Sequence, residues 1–155
     1  MIDPALVRTI REQFHLDPTG IHGEAHWARV RDNGLRLAEA TGANARVVEL
    51  FAVFHDSCRR NDAYDPEHGP LGAALARTMA GNAFDLDADE LELLAAACHA
   101  HSDGLRTGDV TVLTCWDADR LDLGRAGIRP HPDLLCTDAA REPEILSWAY
   151  RRSRV

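Results

Sequence analysis

Apolar side chains along this chain recur at three- and four-residue intervals almost throughout, and no stretch sustains the two-residue alternation of a half-buried strand. The single strand-like run, "VTVL" at 110–113, continues directly into a helical pattern. This feature argues against sheet-based architectures and predicts an all-α bundle of about six or seven helices. With 155 residues the chain suffices for one real core but not for two ordinary ones, so one domain spanning 1–155 is expected.

Capping and breaking residues place the helices. Asp3 and Pro4 open a first helix that reaches about Phe14, as N-cap and first-turn residue. A second runs from about Glu24 to Thr41 and is closed by Gly42, and a third, capped by Asn44, ends near Asp56. Pro66 and Pro70 read as breakers, which puts a fourth helix at about Leu71 to Ala80, stopped by Gly81. Asp87 or Asp89 starts a fifth that extends to Asp103-Gly104, and a sixth covers about Asp109 to Leu123 before Gly124. "IRPHPDLLCTDAA" reads mostly as loop, followed by a last helix from about Glu142 to Arg151.

The net charge of −8 argues against binding a nucleic-acid backbone, because nothing supplies a basic face. A small anionic substrate remains compatible, since a few arginines or a metal reverse the field within one pocket. Cys58, Cys98, Cys115 and Cys136 are far apart and form no C-x-x-C pair, a pattern of reduced thiols in a cytoplasm. No signal peptide is visible, and no apolar run approaches the roughly 20 residues of a membrane span. A cytoplasmic protein with no membrane partner is expected; oligomeric state is left open, homo-oligomers included.

The stretch "LFAVFHDSCRRND" poses the chemical question. An apolar run, Leu50, Phe51, Val53 and Phe54, points into a core and then ends in His55-Asp56. Burying an unpaired carboxylate costs several kcal/mol, on the order of the stability of a small domain, so something must compensate. Sorting the other helices by face finds similar groups. His26 shares a stripe with Val30 and Leu37, His101 with Leu91, Leu94 and Cys98, and Asp117 with Val110, Leu113 and Leu121, whereas His99 turns toward Glu92. His68 stands at the start of the fourth helix within "DPEHGP". One inward histidine is usually a hydrogen-bonded core residue, and Asp56 alone would pair with Arg59 or Arg60. Coincidence across four helices points instead to a divalent metal, which imidazole nitrogens and carboxylates suit, and which turns buried carboxylates into ligands.

The residues "HWARV", "LFAVFHDSCR" and "CWDADRLDLGR" give the order His26, His55-Asp56, Asp117, which resembles the H…HD…D pattern of the HD-domain superfamily of metal-dependent phosphohydrolases. "DPEHG" and "HAHSDG" are similar to the intervening histidines of its H…HD…H…H…D members. The resemblance covers about 22–125, with 126–155 packed on that core. It implies a metal held by His26, His55, Asp56 and Asp117. His68 and His101 would complete a second metal site or contact a phosphate. It further implies divalent Mn, Mg, Ni, Fe, Co or Zn, one ion or two, and metal-activated water attacking the phosphorus of a small phosphate ester such as a nucleotide. Asp56, His68 and His101 would be catalytic, and Arg59, Arg60 and Arg120 would clamp phosphate, with ion-paired surface arginines as the equal alternative. Asp119 and Asp122 read as helix-surface charges more readily than as groups orienting the histidines, and His22, lying before its helix, is left outside the ligand set. A di-iron oxygenase and a non-catalytic metal-binding domain are the rival readings.

Overall fold

The computed structural model describes residues 2–155. Among these it contains eight α-helices: α1 (Pro4–Gln13), α2 (Glu24–Thr41), α3 (Ala45–Phe54), α4 (His68–Met79), α5 (Ala88–Ala100), α6 (Val110–Arg120), α7 (Asp138–Arg141) and α8 (Pro143–Ser153). No strand occurs among the described residues, and the helix count slightly exceeds the expected six or seven. No helix among them is long and apolar enough to cross a membrane. All four cysteines are free thiols.

Local chemistry sets most boundaries. Asp3 accepts the Ala5 N–H, Asn44 accepts those of Arg46 and Val47, and Asp87 forms a reciprocal capping box with Glu90. Gly42 ends α2 at φ 77°, a left-handed conformation that costs other residues about 1 kcal/mol or more. Two expectations are corrected. Pro70 does not break the chain: it lies in the first turn of α4, where its missing N–H has no helical acceptor to lose, so the helix begins at His68 rather than Leu71. The segment before the last helix is loop over most of 128–140, as expected, but also holds a 3-10 turn at Pro132–Leu134 and the start of the short α7. The second correction is α6, which ends at Arg120 rather than near Leu123, so that Gly124 sits inside a separate 3-10 turn, Leu123–Ala126.

The centre of the bundle is α3, buried from Val47 through Phe54. Each of its large apolar side chains contributes about 1.5–3 kcal/mol by leaving water. Glu49, on the same helix, has its carboxylate 2.9 Å from the Arg31 guanidinium. Helices α2, α5 and α6 pack directly on α3, and α4 packs chiefly on α5. Glycines let α4 approach its neighbours closely. A Cβ at Gly69 would stand 2.6 Å from the His99 carbonyl oxygen, and one at Gly72 would stand 2.6 Å from that of Phe54. A second apolar cluster, Leu37, Leu121, Leu135, Ala140 and Ala149, fixes the C-terminal elements to α2 and the end of α6. The consequence is convergence: His26 in the first turns of α2, His55 just past α3, His68 opening α4, His101 just past α5 and Asp119 in the last turn of α6 meet in one place.

Candidate metal centre

Each of four buried histidines has its Nδ1 tied to an oxygen. His55 Nδ1 lies 3.1 Å from the carbonyls of both Phe51 and Ala52, and His101 Nδ1 lies 2.7 Å from that of Cys98. His68 Nδ1 bonds to the Asp65 carbonyl, and His26 Nδ1 to Asp122 Oδ2 at 2.7 Å. Carbonyls and carboxylates only accept, so Nδ1 carries the proton and Nε2 presents a lone pair. The Nε2 atoms then face each other in pairs, His26 to His55 at 3.0 Å and His68 to His101 at 2.9 Å. Two lone pairs at that separation repel unless a cation, proton or metal, lies between them.

Asp56 links the pairs. Its Oδ2 is 3.4 Å from His26 Nε2 and 3.5 Å from His55 Nε2, and its Oδ1 is 3.4 Å from His68 Nε2 and 3.3 Å from His101 Nε2. Two donor groups result, His26, His55 and Asp56 on one side and Asp56, His68 and His101 on the other, with ligand atoms inside each group within 4.8 Å of one another. Asp119 Oδ1 adds a second carboxylate to the first group, 3.4 Å from His26 Nε2 and 3.6 Å from His55 Nε2. Burial would raise the Asp56 pKa, but the surrounding histidines, His55 foremost, hold it well below the usual carboxylate range. Asp119 is likewise held well down against burial, by His26 and His55. Burial pushes His55 below its ordinary value. Burial and Arg125 push His26 down too, yet hydrogen bonds to Asp119, Asp122 and Asp56 outweigh them and lift it to about 9. Without metal, then, the first pair holds one proton beyond those on Nδ1, at His26 Nε2, which a metal must displace. Unprotonated Nε2 atoms, aligned by hydrogen bonds at Nδ1 and accompanied by ionised carboxylates, are a donor set that fits a divalent ion of the Mn to Zn series.

The structure brings together His26, His55, Asp56, His68 and His101, and leaves His99 exposed. It does not bring Asp117 to them. That carboxylate accepts the backbone N–H groups of Cys136 at 2.7 Å and Thr137 at 2.9 Å, and the Thr137 hydroxyl at 2.7 Å, anchoring the segment ahead of α7. Helix α6 is buried from Val112 through Ala118 except at the half-buried Leu113, so its apolar period marks no single inward face. The face toward the histidines carries Asp119, and Asp122 follows just past the helix end. Neither is a surface charge: Asp122 is fully buried and also accepts Arg29 Nε at 2.7 Å. His22, set outside the ligand set by sequence, is buried with Nδ1 3.0 Å from Asp56 Oδ2, placed by the Trp27 indole N–H, which donates to the His22 carbonyl at 2.8 Å. Its loop position gives it no helical face by which sequence could find it.

A cleft of about 560 Å³ opens over Asp56, His101 and Asp119. Arg59, Arg106, Arg120 and Arg125 line it. Arg59 Nε donates to Asp56 Oδ1 at 3.2 Å, whereas Arg60 is exposed and does not line the cleft. Arg120 lines it with its guanidinium bound to the carbonyls of Leu134 and Leu105. Arg125, which sequence did not single out, donates to the carbonyls of Ile21 and Asp122 and comes within 3.9 Å of Asp119 Oδ1.

No family model and no curated protein matches the sequence. Among solved structures, the fold is similar to the crystal structure of a predicted HD superfamily hydrolase from an uncultured Thermotogales bacterium. The TM-score is 0.68 at 25% identity, over 95% of this chain and 84% of that one.

Proposed function

The chain has the fold of the HD superfamily with a buried His/Asp cluster to match, and on that premise we propose that it is a metal-dependent phosphohydrolase acting on a small phosphate ester, nucleotides included. The observation that carries this reading is Asp56, one carboxylate serving two histidine pairs at the floor of an arginine-lined cleft.

His26, His55, Asp56 and Asp119 would hold one cation, and Asp56, His68 and His101 a second. A bound divalent ion would supply charge neutralisation at a phosphoryl oxygen and a water whose pKa is brought toward neutrality. The chain's own part is positioning and charge. Arg59 and Arg125, each held by backbone carbonyls, present guanidinium N–H groups beside the cluster, where non-bridging phosphate oxygens would sit. If only the first cation is bound, His101, which lines the cleft, would be left free of metal to pass a proton from Nε2 to a phosphate oxygen. No serine or cysteine nucleophile is required. Whether the ester is a mono- or diester depends on how the leaving group lies in the cleft.

The same two donor groups would suit a di-iron centre for oxygen-dependent cleavage. The four cleft arginines favour hydrolysis of a phosphate over oxidation of a neutral substrate. Elemental analysis of the purified protein with a phosphatase screen tests the proposal. A redox-silent metal with phosphate release supports it, and two irons with oxygen uptake and no phosphate release sink it.

A further inference from the structure

The four cleft arginines fall into two groups. Arg59 and Arg125 lie against the cluster with side chains only 12% and 10% exposed. Arg106 and Arg120 belong to the outer wall, formed by the segments around Leu105 and Leu134, both about half exposed. Arg120 is committed to that wall: it donates to the Leu134 carbonyl at 3.0 Å and the Leu105 carbonyl at 2.7 Å, and covers the Trp116 ring. Arg106 is exposed, and among the described residues its hydrogen-bond partner is the Asp133 carbonyl and it makes no ion pair. Asp133, the acidic side chain on this wall, is 85% exposed and sits 3.6 Å from His131.

A phosphate at the cluster engages the inner arginines and leaves most of the 560 Å³ for the rest of the substrate, which must run along the cleft toward the outer wall. There it meets a guanidinium with donors to spare, on a chain whose net charge is −8. Resting on the phosphohydrolase reading, we infer that Arg106, with Arg120 behind it, forms a second anion subsite, and that the substrate is a phosphate ester bearing another anionic group, phosphate or carboxylate, remote from the scissile bond. The subsite selects by charge at the far end rather than at the reacting phosphorus.

Pairs of compounds differing in that second charge test this: fructose 1,6-bisphosphate against fructose 6-phosphate, and 3-phosphoglycerate against glycerol 3-phosphate. Calorimetry gives dissociation constants on the manganese-loaded protein, and phosphate release gives kcat/KM. One charge-assisted arginine contact should favour the more charged member of a pair by about tenfold or more. The bisphosphate and carboxylate pairs show which anion the subsite prefers. Arg106→Ala should collapse the preference to within about twofold, and Arg106→Lys should restore part of it. A wild-type ratio near one, or a preference that survives in Arg106→Ala, overturns the inference. If no compound releases phosphate, the hydrolase reading falls, while the ratio of dissociation constants still decides the subsite.

Discussion

Asp122 holds His26 by its Nδ1 at 2.7 Å while its other oxygen takes Arg29 Nε at the same distance, so a buried ion pair fixes the imidazole whose Nε2 faces His55. The carboxylate therefore sets both the tautomer and the aim of a candidate ligand without needing to touch a metal. Asp122→Asn keeps the shape but weakens that acceptor. Its metal dissociation constant, measured by chelator competition, should rise about 10–100-fold with the helical circular-dichroism signal preserved. An affinity equal to wild type would show that His26 is oriented by packing alone.

Asp117 and Asp119, two residues apart, should behave as different kinds of residue. Asp119→Ala removes a carboxylate 3.4 Å from His26 Nε2 and should lower bound metal in elemental analysis, with a smaller loss in urea unfolding than Asp117→Ala. Asp117→Ala strands two backbone N–H groups and the Thr137 hydroxyl, and should cost about 2–4 kcal/mol of stability while leaving the metal donors in place. The opposite pattern would return Asp117 to the ligand set.

His26 makes metal affinity depend on pH. Its folded pKa of about 9 lies above the ordinary 6.5, so the stabilisation that the proton gives the metal-free protein is fully present below about 6.5 and is lost as pH rises through about 9. A metal must displace that proton. Between pH 6.5 and 9 the dissociation constant should therefore fall, by up to about tenfold per pH unit, while the metal-free protein becomes easier to denature with urea. Chelator competition and urea titrations across this window check both slopes. A flat affinity profile would show that no proton is exchanged.

Gly69 controls the second histidine pair. An added Cβ would meet the His99 and Cys98 carbonyl oxygens at 2.6 and 2.8 Å, so Gly69→Ala must push α4 away from α5, with His68 on one and His101 at the end of the other. Overpacking of this kind costs about 1–3 kcal/mol. Metal content should fall preferentially from the group containing His68 and His101, read as a lower ion count in elemental analysis with a lower Tm. An unchanged count would mean that the pair tolerates the displacement.

What the sequence by itself determined was local. The caps at Asp3, Asn44 and Asp87 and the stop at Gly42 are decided within a few residues, so those helix ends were legible. His26, His55-Asp56 and His101 were legible for a related reason: polar groups interrupting apolar helical faces stand out against a strong period. Pro70 misled because its effect depends on where in a helix it falls, and there it lies in the first turn. Only the tertiary structure brings Asp119 rather than Asp117 up to the histidines, since α6 is covered on nearly all sides and burial without a preferred side carries no direction. It alone recruited His22, Asp122, Arg106 and Arg125, whose partners are up to 104 residues away along the chain. Contacts between such distant segments are fixed by how helices pack, and no local spacing encodes them.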